Sequence, residues 1–355
     1  MSAKNWQHEL DAARGAVLRA AKLTKNVLST VSEVSKADSS PVTVADFAAQ
    51  ALIISILHEI FPDDAFVGEE DAGVLRREAG LRERVYEIFS AARDEATDQQ
   101  GRQQQRYTVD QMLDFIDMGG RGQGGAHGRF WVMDPVDGTA TFLRGEQYAV
   151  SLALLQDGKE ALGVVACPNL KLDDAGRIRE SSIDKDGLGI MLSAVKGQGA
   201  TVTALISADA STLPEPVSLE QLQPPSELSG AHIVDCSLNP AASRAKMQEL
   251  ASRLGAEFPG TDVWSSHIRY AALIVGGGDV LIRIPSSSGS KSCIWDHAGA
   301  QLIFTELGGK VTDLDGRPVD FSAGRYLSQN RGLLSARKDI HARVLAVAQE
   351  LMPDN

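Results

Sequence analysis

The stretch Trp131-Val132-Met133-Asp134-Pro135-Val136-Asp137-Gly138-Thr139 carries more information than any other part of the chain. The apolar run from Phe130 to Met133 has the length and composition of a short buried strand. It gives way to two carboxylates three residues apart, with a proline between them and Gly-Thr behind. Pro135 fixes its own φ, and Gly138 tolerates turns that other residues resist. Two oxygen donors, Asp134 and Asp137, are thereby held at the end of a rigid element, with the carbonyl of Val136 beside them. Hard divalent cations, Mg²⁺ in particular, favour such oxygen clusters, keep several waters and take phosphate oxygens. Thr139 falls where a helix begins, so its hydroxyl and the neighbouring backbone N–H groups suit an anion. The same residues also make an ordinary turn followed by an N-cap. The stretch alone does not choose between the two readings.

Three further acidic sites bear on that choice. Ala65-Phe66-Val67-Gly68-Glu69-Glu70-Asp71 is a second short apolar strand ending in acids. A cation relieves the repulsion among them, and so does plain solvation of an acidic loop. Ser39-Ser40-Pro41-Val42-Thr43-Val44-Ala45-Asp46 opens an apolar helix expected to run through Ile60. Thr43 and Asp46 have the spacing of a capping box, with Asp in place of the usual Glu or Gln. Ile294-Trp295-Asp296-His297-Ala298-Gly299-Ala300 precedes a helix-like run ending at Leu307-Gly308-Gly309. Asp296 is a candidate N-cap as well as a candidate ligand, and His297 reads as structural.

The four sites occur together and in a set order: Pro-Val-Thr-x-x-Asp, Gly-Glu-Glu, Asp-Pro-x-Asp-Gly-Thr, then Trp-Asp. In this the chain resembles the inositol monophosphatase and fructose-1,6-bisphosphatase superfamily of Mg²⁺-dependent, lithium-sensitive phosphomonoesterases. The resemblance covers residues 36 to 321, most of the chain. Gly128-Arg129-Phe130-Trp131, the segment Phe142-Leu143-Arg144-Gly145-Glu146-Gln147-Tyr148-Ala149-Val150 and Cys167-Pro168-Asn169-Leu170 are similar to the 3′(2′),5′-bisphosphate nucleotidase branch, especially its fungal members. That branch removes the 3′-phosphate from adenosine 3′,5′-bisphosphate and also acts on its sulfated form.

The resemblance implies an α/β fold of five alternating layers, an αβαβα sandwich. It implies an α+β N-terminal half, residues 1–167, carrying most metal ligands. An α/β C-terminal half, residues 168–355, would carry Asp296 and the recognition residues. It further implies that Glu69, Asp134, Asp137, Asp296 and the Val136 carbonyl hold two or three Mg²⁺ ions. Asp46 and Thr139 match the family pair that orients or deprotonates the attacking water, with Glu70 in support. The phosphate is expected near Gly138 and Thr139, and direct attack by water is expected rather than a covalent intermediate. Ser266 and Arg269 match positions where the nucleotidases carry Ser and Lys. Arg283 matches a family Arg near the nucleotide, and Asp296 is expected to face substrate as well as metal. The plain alternative for both arginines is a solvated or salt-bridged side chain.

Two departures from the family pattern stand out. Asp235-Cys236-Ser237-Leu238-Asn239-Pro240-Ala241 holds no His where the family has one against substrate. Ser288-Gly289-Ser290-Lys291-Ser292-Cys293 stands where the family usually carries Tyr, Glu and Lys. The metal chemistry is thus better specified than the leaving group. A phosphatase of inositol or other polyol phosphates is the first alternative. A catalytically inactive metal- or nucleotide-binding regulator is the second, and retention of every acidic ligand with Asp46 and Thr139 argues against it.

Composition agrees with an enzyme. A chain of 355 residues that is 43% hydrophobic can bury a large core in one large or two coupled domains. Cys167, Cys236 and Cys293 are odd in number and far apart, which indicates neither a disulfide framework nor a zinc site. A reducing, cytoplasmic location is expected. Glu9 and Asp11 lie in an amphipathic pattern that is no secretory signal, and no apolar run reaches membrane-spanning length. The net charge of −12 argues against general nucleic-acid binding. It suits a small anionic substrate only where bound cations reverse the local sign.

Periodicity predicts helices over 4–30, 42–60 and 74–95, with a short one at 108–117. It predicts strands at 64–68, 147–155 and 161–167, the last two joined by a hairpin turn at Gln156-Asp157-Gly158-Lys159. Residues 97–128 are the least regular part, with a Gln-rich patch and then the glycine run 119–125. That run lacks the Gly-Lys-Ser/Thr ending of a P-loop and reads as a mobile surface loop near the site entrance. A Pro-rich connector follows at 213–225, and there is no internal repeat.

Overall fold

The computed structural model describes residues 5–34, 41–94, 106–205, 213–223, 228–237, 239–285 and 291–352. Its first sheet has seven strands in chain order: β1 (Ala65–Gly68), β2 (Arg129–Asp137), β3 (Ala149–Gln156), β4 (Lys159–Cys167), β5 (Ile190–Val195), β6 (Ala200–Ala204) and β7 (Val217–Ser218). β1 runs parallel to β2, and every later pair is antiparallel. The second sheet contains β8 (His232–Asp235), β9 (Glu257–Asp262), β10 (Val280–Arg283), β11 (Gly309–Thr312) and β12 (Leu333–Arg337), in the order β11-β12-β10-β8-β9. The halves expected at 1–167 and 168–355 meet between β4 and β5, two neighbours in the first sheet.

Helices α1 (Gln7–Val34) and α2 (Pro41–Ile60) cover one face of the first sheet. α1 buries Ala13, Ala16, Val17, Ala20 and Ala21, the spacing of one helical face. Those small side chains let α2 approach closely. α2 is buried almost all round because α4 (Ala79–Asp94), α5 (Val109–Gly120) and β2 pack on its other sides. Between the two sheets lie α8 (Ser266–Val275) and α9 (Ala298–Glu306), which share a core with β4, β5, β8 and β10. α7 (Ala241–Leu254) and α10 (Lys338–Leu351) close the outer face of the second sheet. The result is the expected five layers: α1–α2, first sheet, α8–α9, second sheet, α7–α10.

Two expectations are corrected. The polar helix over 74–95 divides into α3 (Gly73–Arg77) and α4, because Glu78 between them is extended at φ −111°. The glycine run is not a free surface loop at its start. α5 continues through Gly120, and a Cβ on Gly120 or Gly122 would lie 2.3 Å from the Glu70 carbonyl or 1.7 Å from the Phe66 carbonyl. Glycine is needed there so that α5 can reach the backbone of β1. The hairpin turn forms as expected, with positive φ at both Asp157 and Gly158. The Gln-rich patch, part of the Pro-rich connector and residues 288–290 lie outside the described residues. Among those described, no helix is long and apolar enough to cross a membrane, and no disulfide joins the three cysteines.

α9 crosses β4 at a glycine pair. A Cβ on Gly163 would lie 2.4 Å from the Gly299 carbonyl, whereas one on Gly15, in α1, meets nothing within 4 Å. Gly163→Ala should therefore cost about 1–3 kcal/mol through overpacking. Gly15→Ala should be neutral or stabilise by about 0.5–1 kcal/mol. Urea unfolding of the two variants checks this, and a Gly163→Ala protein as stable as the parent would contradict the packing.

Candidate active site

β2 does not stop at Met133. It continues through Asp137, but its register with β3 slips: Asp134 pairs with Ser151 and Asp137 with Ala149. Three steps on β2 match two on β3, so one extra residue bulges out at Pro135-Val136. In a regular strand residues three apart point to opposite faces. The bulge restores them to the same side, and Pro135, having no N–H, fits where a ladder bond is lost. Gly138 then turns the chain at φ +94° into the four-residue helix α6 (Thr139–Phe142). A Cβ on Gly138 would lie 2.8 Å from Cβ of Ser265. The Thr139 hydroxyl donates to the Val136 carbonyl at 3.2 Å, so both are at the bulge.

The Glu69-Glu70 turn follows β1 and is held by its backbone. Gln50, fully buried in α2, accepts from the Glu70 N–H at 3.1 Å and donates to the Glu70 carbonyl at 2.6 Å and the Ile116 carbonyl at 2.9 Å. The carboxylates of Glu69 and Glu70 are thus left free of structural duty. Asp46 is not the N3 acid of a capping box. α2 already begins at Pro41, which puts Asp46 in its second turn, 3% exposed and close to the acidic turn.

Asp296 reaches the cluster from the turn before α9. It does not cap that helix, whose N-cap position is His297. Its carboxylate pairs instead with Arg283 at 3.3 Å, and Arg283 also lies 3.4 Å from the Ser266 hydroxyl. The first turn of α8 joins these parts. Ser265 caps it by accepting from the Ile268 N–H, while its own hydroxyl donates to Asp137 at 2.5 Å. The His267 N–H donates to the same Asp137 oxygen at 2.6 Å, and its ring Nε2 donates to the Trp295 carbonyl at 2.9 Å. Neither Ser265 nor His267 is marked by the sequence reading, although Ser-Ser-His before an apolar helical run is an N-cap pattern.

Six carboxylates, Asp46, Glu69, Glu70, Asp134, Asp137 and Asp296, therefore act on one another. Desolvation first, and then neighbouring acids, raise Asp46 and Asp134 well above the carboxylate range. Desolvation together with Glu70, Asp296 and Asp137 pushes Glu69 up to about 8, although its residue keeps an exposed edge. Burial and the Asp71 charge push Glu70 up to about 7. Burial raises Asp296 too, against the opposing pull of Arg283. The buried Oδ1 of Asp134 has no hydrogen-bond donor among the described residues. An all-oxygen donor set with uncompensated buried charge fits a hard divalent cation. Among the described residues no three acidic, His or Cys side chains are already drawn to one point. The reason lies in the side chains: Asp137 is turned to α8 and Asp296 to Arg283.

Arg269 donates through Nε to the Val263 carbonyl at 3.0 Å and lines a small cavity with Ser266, Tyr270, Arg283 and His297. His297 is buried, and neither ring nitrogen has a partner among the described residues. In the segment lacking the family His, Asp235 instead accepts from Asn239 at 3.0 Å and pairs with Arg244 at 3.5 Å.

The family model described as the inositol monophosphatase family matches residues 5–352. A curated relative, the 3′(2′),5′-bisphosphate nucleotidase of Emericella nidulans, is 35% identical over 98% of this chain and 99% of its own. The enzyme of that name from Oryza sativa is 36% identical over 98% of this chain and 95% of its own. Among solved structures, inositol monophosphatase II from Staphylococcus aureus shares the fold at TM-score 0.59 and 19% identity, covering 97% of this chain and 94% of its own. CysQ from Bacteroides thetaiotaomicron does so at TM-score 0.58 and 19% identity, over 94% and 98%. Phosphatases of the matched family depend on a metal, generally Mg²⁺.

The raised carboxylates set a pH dependence. The ordinary glutamate value is 4.5, against about 7 for Glu70 and about 8 for Glu69 in the fold. Between those values the unfolded chain loses protons that the folded one retains, so metal-free stability falls as pH rises through that window. A cation that binds the ionised carboxylates should reverse the trend. Without metal, Tm should drop between pH 5 and 8.5, and Mg²⁺ should raise Tm more at pH 8.5 than at pH 6. Thermal melts with chelator and with Mg²⁺ check it, and an equal or larger rise at pH 6 would exclude the cluster as the binding site.

Proposed function

This chain belongs to the inositol monophosphatase family, and we propose that within it the protein is a 3′(2′),5′-bisphosphate nucleotidase, hydrolysing adenosine 3′,5′-bisphosphate to AMP and phosphate. It is a phosphatase of a small phosphorylated molecule. The observation that carries the finer assignment is the extent of the likeness, about 35% identity over nearly the whole chain with relatives of that name. The sulfated form of the same nucleotide is a second substrate on this reading.

Glu69, Asp134, Asp137, Asp296 and the Val136 carbonyl are the residues that would hold two or three Mg²⁺ ions. Bound cations supply Lewis acidity at the phosphoryl group and make a coordinated water easier to deprotonate. Asp46, buried beside Glu69 and Glu70, takes the proton of the attacking water. Thr139, with its hydroxyl at the bulge, orients that water, and Glu70 supports it. The water oxygen bonds to phosphorus, the ester bond to the sugar oxygen breaks, and a proton passes to that oxygen. Gly138 and Thr139 receive the phosphate. Ser266, Arg269, Arg283 and Asp296 face the rest of the nucleotide, Arg offering a bidentate fork where Lys offers a point charge.

A phosphatase of inositol or polyol phosphates is the competing reading, favoured by the missing His in 235–241 and by the changed segment 288–293. Phosphate release from adenosine 3′,5′-bisphosphate, inositol 1,4-bisphosphate and inositol 1-phosphate, measured side by side with Mg²⁺, separates the two. Preference for either inositol substrate would overturn the nucleotidase assignment.

Asp137→Asn keeps size and removes charge. It should lower activity by about a hundredfold or more, on the scale of losing a strong transition-state contact. Asp46→Asn should lower kcat far more than it raises KM. Near-parental turnover of the Asp137 variant at saturating Mg²⁺, or an Asp46 variant altered only in KM, would remove that residue from its role.

A further inference from the structure

Arg325 lies far along the chain from every acidic motif, yet it touches the supports of two of them. One arm of its guanidinium donates to the Gly68 carbonyl at 2.7 Å, immediately before Glu69. The other donates to the carbonyls of Gly119 at 3.1 Å and Gly122 at 2.7 Å, where α5 meets β1. The same guanidinium sits over the ring of Trp295, 4.6 Å from its centre, immediately before Asp296. Its backbone is tied in as well: the Ile294 N–H donates to the Arg325 carbonyl at 3.0 Å, and Cys293 and Tyr326 form an antiparallel bridge. None of these contacts involves a carboxylate.

We propose that Arg325 is a positioning residue that sets the gap between the Glu69 turn and the Asp296 turn, and so the size of the metal site. The inference rests on the proposed metal-binding role of those two acids. Arginine suits the task chemically. Its planar fork bonds several carbonyls at fixed angles while its face stacks on an indole, which an ammonium cannot reproduce. The glycines at 120 and 122 belong to the same device, since they allow the end of α5 to come close enough to β1 and the turn after it for one fork to span both.

Electrostatics alone makes the opposite prediction, and this gives the test its sign. Arg325 is a positive charge near a cation site, so its removal should tighten Mg²⁺ binding if charge were its only influence. If it sets the gap, removal should weaken Mg²⁺ binding and relax discrimination against the larger Ca²⁺, because selectivity between these ions follows site size and rigidity.

The experiment is titration of Tm with Mg²⁺ and separately with Ca²⁺ for the parent, Arg325→Met and Arg325→Lys, supported by kcat and KM at saturating Mg²⁺. Arg325→Met should need about tenfold more Mg²⁺ for the same shift, with its ratio of Mg²⁺ to Ca²⁺ response lowered. Arg325→Lys keeps the charge and loses the fork, and should resemble Met. If the Met variant fails to fold, Lys carries the test by the same criteria. Parental Mg²⁺ affinity and selectivity in the folded variant, or tighter Mg²⁺ binding, overturns the proposal. A parent protein whose Tm does not respond to Mg²⁺ overturns the metal assignment itself, and the role of Arg325 with it.

Discussion

Six carboxylates held within one another's field form the constraint on which the rest of this fold depends. Unit charges at contact distances in a partly buried site repel by several kcal/mol, more than most single contacts return. The chain meets that cost through backbone geometry. Gln50 grips the Glu70 peptide, a bulge aligns Asp134 with Asp137, and Arg325 spans the carbonyls beside Glu69. Because these grips fall on peptide groups, the Glu69 and Asp134 carboxyls hydrogen-bond to each other and Oδ1 of Asp134 is left without a donor among the described residues. The residual cost appears as the raised proton affinities of Asp46, Glu69, Glu70 and Asp134.

The middle layer explains why the two sheets cannot drift apart. Asp137 belongs to the first sheet, Arg283 to the second, and Asp296 to the turn before α9. The opening turn of α8 touches all three through consecutive residues: Ser265 and His267 on Asp137, Ser266 on Arg283, and the His267 ring on the Trp295 carbonyl. Hydrogen bonds to a charged group are stronger than neutral ones, about 1.5–3 kcal/mol each. A helix N-terminus also favours the negative charge placed there. The close crossing of Gly163 and Gly299 draws α9 onto the first sheet and brings the Asp296 turn with it.

Much of this was legible in the sequence, and what was not has identifiable causes. Apolar runs ending in acids marked β1 and β2, and helical periodicity marked α1 and α2, because both are local properties. The motif order carried the family and with it the five layers. The bulge was hidden, since a strand continuing through Asp-Pro-Val-Asp looks like a strand that ends. The glycine run misled because glycine permits close packing as readily as mobility, and only the position of β1 decides between them. Ser265, His267 and Arg325 were missed because their importance comes from partners far away in sequence, Asp137 for the first two and Gly68 with Trp295 for the third. The reading of Asp46 turned on a helix start shifted by a few residues, the least reliable feature of any periodicity argument.

The Arg283–Asp296 pair sets a cationic partner beside an acid that the proposed assignment gives to a metal. Arg283 supplies Asp296 with a positive charge from within the chain. Under the proposed assignment, a cation at Asp296 competes with that guanidinium and releases it toward the cavity it shares with Arg269 and Ser266. The cavity then gains a free cationic fork at the same time as the acidic cluster is neutralised. Both changes favour an anion, so cation and phosphorylated substrate would each promote the other's binding, by a reciprocal amount. This reconciles a chain of net charge −12 with an anionic substrate. The overall charge repels polyanions at a distance, while the sign at the site is decided locally by which partner Asp296 holds.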